Sequence, residues 1–262
     1  MSRRLALIDS GLAIARSLAR KGRQTDALAQ TLRLLNRPDL SVMEAADAHR
    51  VAGEIYLDSE RFGKARRHLR SSLTLEQGHA RTHFLLGLAF ERDPHGCDHR
   101  AACRFRAASK LVPDNAAYRA AFGRAAVRSD RLKRGVRELL AAAESAHKDL
   151  ALLEVVVEGL LEAGKVQDAQ RIIVKARFSC PGSGEVRRLW ERVRYESARR
   201  GQRRASSTQD AGPAMDGAVQ LLPFLRVVRS TAGGTTPAPG VRLDVASFPR
   251  PHRPHLRSRF DC

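Results

Sequence analysis

The sequence predicts an all-α chain: a solenoid of about five helix pairs and a final capping helix over residues 1–200, then a disordered tail over 201–262. Three observations predict it. Aromatic residues make up only 5% of the chain and alanine is plentiful, which suits closely stacked helices better than a β-sandwich. A pattern of small and apolar residues recurs about every 34 residues, the period of a stacked supersecondary unit. Within most copies two small residues stand 12 apart, as paired helices that approach closely require.

The pattern is clearest from His49 to Pro113. Gly53-Glu54-Ile55-Tyr56 is followed by Ala65 and Leu69, and 34 residues after Gly53 comes Leu86-Gly87-Leu88-Ala89-Phe90. Ala101, Phe105, Ala108 and Pro113 continue the second copy. A small residue, an aromatic three later, an alanine beyond the turn, a large apolar residue four after that and a closing proline together resemble the tetratricopeptide repeat (TPR). The resemblance implies antiparallel helix pairs whose first helices line a concave, partner-binding groove.

The small residue serves as a ruler for the other units. Gly53 to Ala65, Gly123 to Gly135, Val157 to Ala169 and Ala15 to Ala27 all span 12 residues, whereas Gly87 to Ala101 spans 14. The key positions 15, 53, 87, 123 and 157 are therefore spaced by 38, 34, 36 and 34. The 36 reflects a two-residue insertion in an inner turn. The 38 places extra residues around Asn36-Arg37-Pro38-Asp39, a loop sequence. The tryptophan position of the repeat is never filled; Gly11, His49, His83, Arg119 and Leu153 stand there.

Helical periodicity agrees with the ruler. Leu153, Val156, Val157, Leu160 and Leu161 form one stripe, and Ala169, Ile172, Ile173 and Ala176 form another. Gly164 between them is placed to cap the first helix. Val186, Leu189, Trp190 and Val193 mark a last helix over 183–200, apolar inward and polar outward as a solenoid end requires. After Gly201 the composition turns to Gly, Pro, Ser, Thr and Arg, which predicts disorder. An apolar island at Leu221–Val228 interrupts it and is expected to dock, either into the groove or onto the capping helix. A short polyproline-type stretch follows at Pro249–Pro254.

Net charge is +19, and only seven of the 47 basic residues are lysine. A GC-rich genome favours arginine, so the bias reads first as composition on solvated faces and the source as bacterial. Its functional reading is attraction to nucleic acid, anionic lipid or acidic proteins. The tail, with nine Arg and four Asp, holds +5 of the charge. No apolar run approaches the length of a membrane span. Asp9 and Arg16 interrupt the first apolar stretch, which argues against a secretory signal. A cytoplasmic protein is expected, with no membrane association.

The four cysteines, Cys97, Cys103, Cys180 and Cys262, are too irregular for a disulfide framework. His95, Cys97, His99 and Cys103 cluster at the insertion, with His99 and Cys103 one helical turn apart. Without a paired C-x2-C this reads as a polar turn, so no metal site and no cofactor are expected. Nucleophile-elbow, phosphate-loop and zinc-protease motifs are absent from the sequence. A non-enzymatic scaffold or adaptor follows.

The resemblance also places the groove. Its lining residues are expected three before, one after and four after each small position. These include Arg50, Glu54 and Leu57; Phe84, Leu88 and Glu91; Arg124 and Val127; and Glu154 and Glu158. Arg16 holds the equivalent place in the first unit. The lysine and asparagine set by which chaperone-binding members clamp a terminal carboxylate is missing. The expected partner is thus a protein or peptide of unspecified identity. The alternative is RNA or DNA on the convex, second-helix surface, where Arg66, Arg67, Arg70, Arg104, Arg106, Arg131 and Arg134 lie without interleaved aromatics.

Overall fold

In a computed structural model, the structure describes residues 2–146 and 149–210, and side chains within 10–146 and 149–202. The expected disorder of the tail, the apolar island 221–228 and the Pro249–Pro254 stretch fall outside the described residues. Eleven α-helices and no strand occur among the described residues. They pair as α1 (Ser2–Arg20) with α2 (Gln24–Leu35), α3 (Val42–Asp58) with α4 (Phe62–Leu75), and α5 (Ala80–Glu91) with α6 (Asp98–Leu111). Then come α7 (Ala116–Arg128) with α8 (Leu132–Ala146), α9 (Leu150–Glu162) with α10 (Val166–Ser179), and a long α11 (Gly184–Asp210). From α1 to α10 each helix packs on the next, within and between pairs, so the five predicted units are the five observed ones.

The two kinds of junction use different chemistry. Where one pair leads to the next, a side chain accepts from the exposed N–H groups of the new helix. Ser41 does so for α3 in a reciprocal capping box with Glu44, and His79, Asn115 and Asp149 do so for α5, α7 and α9. Inside a pair, α2, α4 and α10 start after Arg23, Arg61 and Lys165, whose side chains carry no acceptor, and have no side-chain cap. The first helix is closed instead by a left-handed residue seven after the small position: Gly22, Glu60, Asp130 and Gly164, with φ of 78°, 57°, 61° and 78°. The following N–H then donates five residues back: Arg23 to Leu18, Arg61 to Tyr56, Arg131 to Ala126 and Lys165 to Leu160, at 2.8–2.9 Å. This bond satisfies a terminal carbonyl of the helix.

In the third unit that position is Pro94. Proline's φ is fixed near about −65°, so the left-handed turn is impossible there. The chain takes two more residues, and the Gly96 N–H closes the turn on the Asp93 carbonyl at 2.7 Å. A Cβ on Gly96 would lie 1.8 Å from the Phe90 carbonyl oxygen, so only glycine permits this approach. The insertion seen as an irregular spacing is thus a consequence of one proline.

The core has no single centre. A first cluster contains Leu12, Ala15, Val51 and Ile55; a second contains Tyr56, Leu69, Leu86, Phe105 and Phe122; a third contains Leu139, Leu153, Val157, Ile173 and Val193. α3 contributes to the first two and α7 to the last two, so apolar packing runs the length of the stack as expected of repeats that stabilise their neighbours. Val186, Leu189 and Val193 of α11 close the far end. This helix runs to Asp210, ten residues past its expected end. Gln, Arg and Ala after Gly201 are good helix formers, and one glycine does not stop them. The compact unit itself extends to Ser207.

At the unfilled tryptophan position the second unit builds a polar interior. His49 Nδ1 lies 3.0 Å from His68 Nδ1, so one ring donates to the other. Tyr56 stacks on His68 at 5.4 Å between centroids. Burial pushes both imidazoles below their ordinary value of about 6.5, and the charges of His49 and Arg67 push His68 further. His79 and His83 are lowered by burial as well. The folded state therefore favours neutral rings. Stability is full above pH ~6.5 and falls as pH drops toward the depressed folded values, because the unfolded chain takes up protons first. Urea unfolding between pH 7.5 and 5 should show this decline, with a shallower slope in His49→Gln/His68→Gln; identical slopes would exclude the pair as its source.

Candidate functional site

Most first helices touch. α1 contacts α3, α3 contacts α5 and α7 contacts α9, with α5 and α7 the exception, whereas no comparable contact joins α2 to α4, α4 to α6 or α6 to α8. The surface made by the first helices is therefore the inner one. Its central and C-terminal part is crossed by a ladder of alternating charges. Arg128 meets Glu91 at 3.2 Å and Glu162 at 2.8 Å. Arg124 meets Glu162 and Glu158 at 3.3 Å each, and Arg192 of α11 meets Glu158 at 2.6 Å. Four helices are tied by charges contributed from every second element. A single exposed pair of this kind contributes little, but partners shared across a network hold one another in place.

The ladder affects its members unequally. Burial raises the Glu91 carboxyl above the ordinary carboxylate value despite the charges of Arg124 and Arg128. Partial burial alone would raise Glu162 too, but the Arg128 hydrogen bond and the charges of Arg124 and Arg128 together hold it lower. Arg128 is correspondingly raised, first by its hydrogen bond to Glu162.

The N-terminal part of the same face is different. A cavity of about 360 Å³ opens between α1, α3 and α5. Val51 and Ile55 floor it, Glu54 and Asp58 stand on one wall, and Arg16 and Arg20 on the other. Arg81 at its edge is ion-paired with Glu54. Arg16 and Arg20 are exposed, and among the described residues no carboxylate pairs with them. A second cavity, about 450 Å³, lies between α9 and α11 with Glu154, Glu158, Arg188 and Arg192 on its walls.

No protein-family model matches this chain, and no curated protein matches it. Solved structures do. YrrB, described as a TPR protein with an unusual peptide-binding site, superposes with a TM-score of 0.53 at 17% identity, over 69% of this chain and 90% of its own. TTC0263, a thermophilic TPR protein of Thermus thermophilus, gives 0.54 at 15% identity, over 71% and 98%. MamA gives 0.52 at 15% identity, over 63% and 94%. This chain has the TPR fold. At these identities the likeness is one of backbone, and the site must be judged from its own side chains.

Judged so, the TPR groove positions divide. Glu54, Glu91, Arg124 and Glu158 lie on the inner face and belong to its ion pairs. Glu154 is exposed beside the second cavity. Leu57 differs from expectation: it is 3% exposed and packs in the core, because α3 and α5 press together there. Arg50 is also buried, held by Asp47 and, at 3.9 Å, Glu76. Phe84, Leu88 and Val127, expected as exposed apolar groove residues, are half-buried against the core. Phe84 is occupied by Phe105 and Tyr118, at 5.5 and 4.9 Å between centroids. The middle of this face is thus charged, with these apolar side chains half-buried beneath it.

Sequence reasoning left out Arg20, Asp58, Arg128 and Glu162. All four stand five residues after a small position, on the same helix face as the expected ones. Extending the rule by one residue finds them. At the insertion His99 Nδ1 lies 3.9 Å from Cys103 Sγ, and Arg131 reaches His99 Nε2 at 3.2 Å. Among the described residues no three His, Cys, Asp or Glu side chains group as a metal site needs. No described helix is long and apolar enough to cross a membrane.

Proposed function

We propose that this chain is a non-enzymatic cytoplasmic scaffold that holds a peptide segment of a protein partner on its first-helix face. The observation that carries the reading is the cavity between α1, α3 and α5, where an apolar floor lies beside two arginines that have no carboxylate partner among the described residues. An acidic or terminal carboxylate of the partner would pair with Arg16 and Arg20, and an apolar neighbour would cover Val51 and Ile55. The peptide-binding site described for YrrB is consistent with this use of the fold. Glu54, Glu91, Arg124, Glu154 and Glu158 would then set register along the groove, by exchanging their present pairs for the partner's charges. Residues Leu57, Arg50 and Phe84 would act behind them, as packing.

The test is selection of binding peptides from a random library on the full-length chain, followed by titration. Arg16→Glu/Arg20→Glu should weaken the selected peptides by about tenfold or more, roughly 1.4 kcal/mol. Arg33→Glu/Arg187→Glu, exposed and outside both cavities, should leave them unchanged. Peptides equally sensitive to both pairs would be binding by net charge, and the groove reading would fall.

A further inference from the structure

The charge of the inner face is largely spent on itself, so the excess positive charge must be carried elsewhere. One furrow of the opposite face concentrates it. Arg66 and Arg70 of α4 and Arg100 of α6 surround the ring of Phe90, and the charge of Arg104 of α6 acts on Arg70 beside them. The guanidinium carbons of Arg66, Arg70 and Arg100 lie 5.2, 5.9 and 6.0 Å from the ring centroid. Arg66 is engaged with Asp93 and the Ala89 carbonyl. Among the described residues no carboxylate pairs with Arg70, Arg100 or Arg104. The ionised form of Arg70 is disfavoured first by burial, then by the charges of Arg66, Arg100 and Arg104.

This arrangement is particular to one furrow. The four arginines stand one and five residues after Ala65, and one before and three after Ala101. The same positions between α6 and α8 hold Ala102, Arg106, Arg134 and Glu138, and between α8 and α10 hold Val136, Leu140, Asp168 and Ile172. Like charges brought together without counter-charges destabilise a fold. Stacking on an aromatic face holds their planes while leaving the N–H donors directed to solvent.

We infer that the furrow between α4 and α6 binds the phosphodiester backbone of single-stranded nucleic acid. Arginine's planar fork matches phosphate oxygens. Phe90 is only 6% exposed, and its ring is covered by guanidinium groups, so bases have nothing to stack on and sequence is not read. Arg106 and Arg134, the latter 5.1 Å over the buried Phe122 ring, carry the path to the next furrow. A flexible strand can dip successive phosphates between helices, which a stiff duplex cannot do. This use of the second-helix face is independent of peptide binding on the first.

The test is fluorescence anisotropy of a labelled 20-nucleotide oligo-U RNA with the full-length protein, at 50 to 200 mM salt. The triple variant Arg70→Gln/Arg100→Gln/Arg104→Gln should bind about tenfold more weakly at 50 mM salt. Its salt slope should be smaller by about 2, since each neutralised phosphate of a single strand contributes roughly 0.7. Arg33→Gln/Arg187→Gln/Arg188→Gln removes the same charge from other surfaces and should change the slope little. The triple variant should melt no lower than the parent, because like-charge repulsion is relieved; if it does melt lower, Arg100→Gln alone, at an exposed position, should still reduce the slope by about 0.7. Four results would overturn the proposal: no binding by the parent chain, equal loss in both triple variants, tighter binding to duplex of the same length, or equal competition by polyglutamate of matched charge.

Discussion

Gly135→Val lowers the stability of the helical unit by about 3 kcal/mol, the upper end of ordinary overpacking. The first side-chain carbon would lie 2.7 Å from the Gly123 carbonyl oxygen, 2.7 Å from Val127 Cγ2 and 2.9 Å from the Val127 nitrogen. Two of those three atoms are backbone. The contact is reciprocal: a Cβ on Gly123 would meet the Gly135 carbonyl oxygen at 2.9 Å and Leu139 Cγ at 2.8 Å. No rotamer change relieves it, so α7 and α8 must separate and the packing of Leu139 on both sides is disturbed. Gly63 on α4 is the control, since nothing lies within 4 Å of a Cβ there. Gly63→Ala is expected to be neutral or to gain up to about 1 kcal/mol from helix propensity. Urea unfolding followed by helical circular dichroism measures both. Equal midpoints for Gly135→Val and the parent chain would mean that α7 and α8 do not approach as closely as described.

Phe105→Ala is expected to cost about 3–5 kcal/mol. The ring is fully buried and sits where the second core cluster joins α5, α6 and α7. Phe84 packs on it at 5.5 Å, and Tyr118 packs on Phe84 in turn. Removing the ring leaves a void lined by aromatic and aliphatic groups that cannot close it without moving a helix. The absent side chain of Gly87 belongs to the same contact, because a Cβ there would lie 2.6 Å from Phe105 Cε1. Gly87→Ala alone is therefore destabilising, as the ring cannot retreat from a filled interior. In Phe105→Ala the added methyl enters the void instead. The double variant Gly87→Ala/Phe105→Ala should be less destabilised than the sum of the two singles by about 1 kcal/mol or more. Additive losses would show that glycine and ring do not share one volume.

Both predictions rest on pairs the sequence marks by spacing. Gly123 and Gly135, and Gly87 and Phe105, stand at the small and large positions of a repeat whose period can be counted along the chain. Helix number, pairing, junctions and the core stripes follow from such counting, because they depend on residues close in sequence and on one rule applied five times. Even the irregular third unit is legible: once the left-handed turn is placed seven residues after the small position, Pro94 forbids it and the two extra residues follow.

The site was legible only in part, and the reason is geometric. Counting gives the face of a helix on which a residue lies, but not what the next helix presents to that face. Leu57 and Leu88 hold the same face of successive units, yet close contact of α3 with α5 buries Leu57 while Leu88 keeps some exposure. The spacing of Arg128 and Glu162 gives their helix face but not their partners. Their meaning arises because α5, α7 and α9 bring Glu91, Arg128 and Glu162 within ion-pair distance across 71 residues of chain. Likewise Arg70 and Arg100 are two ordinary helix arginines until α4 and α6 set them around one phenyl ring. The repeat, its period and its glycine contacts are local or periodic constraints, and the order of residues alone is enough to set them. Which charges neutralise one another, and which are left for a partner, is fixed only when the helices stack, because electrostatic pairing depends on distances between helices that no spacing encodes.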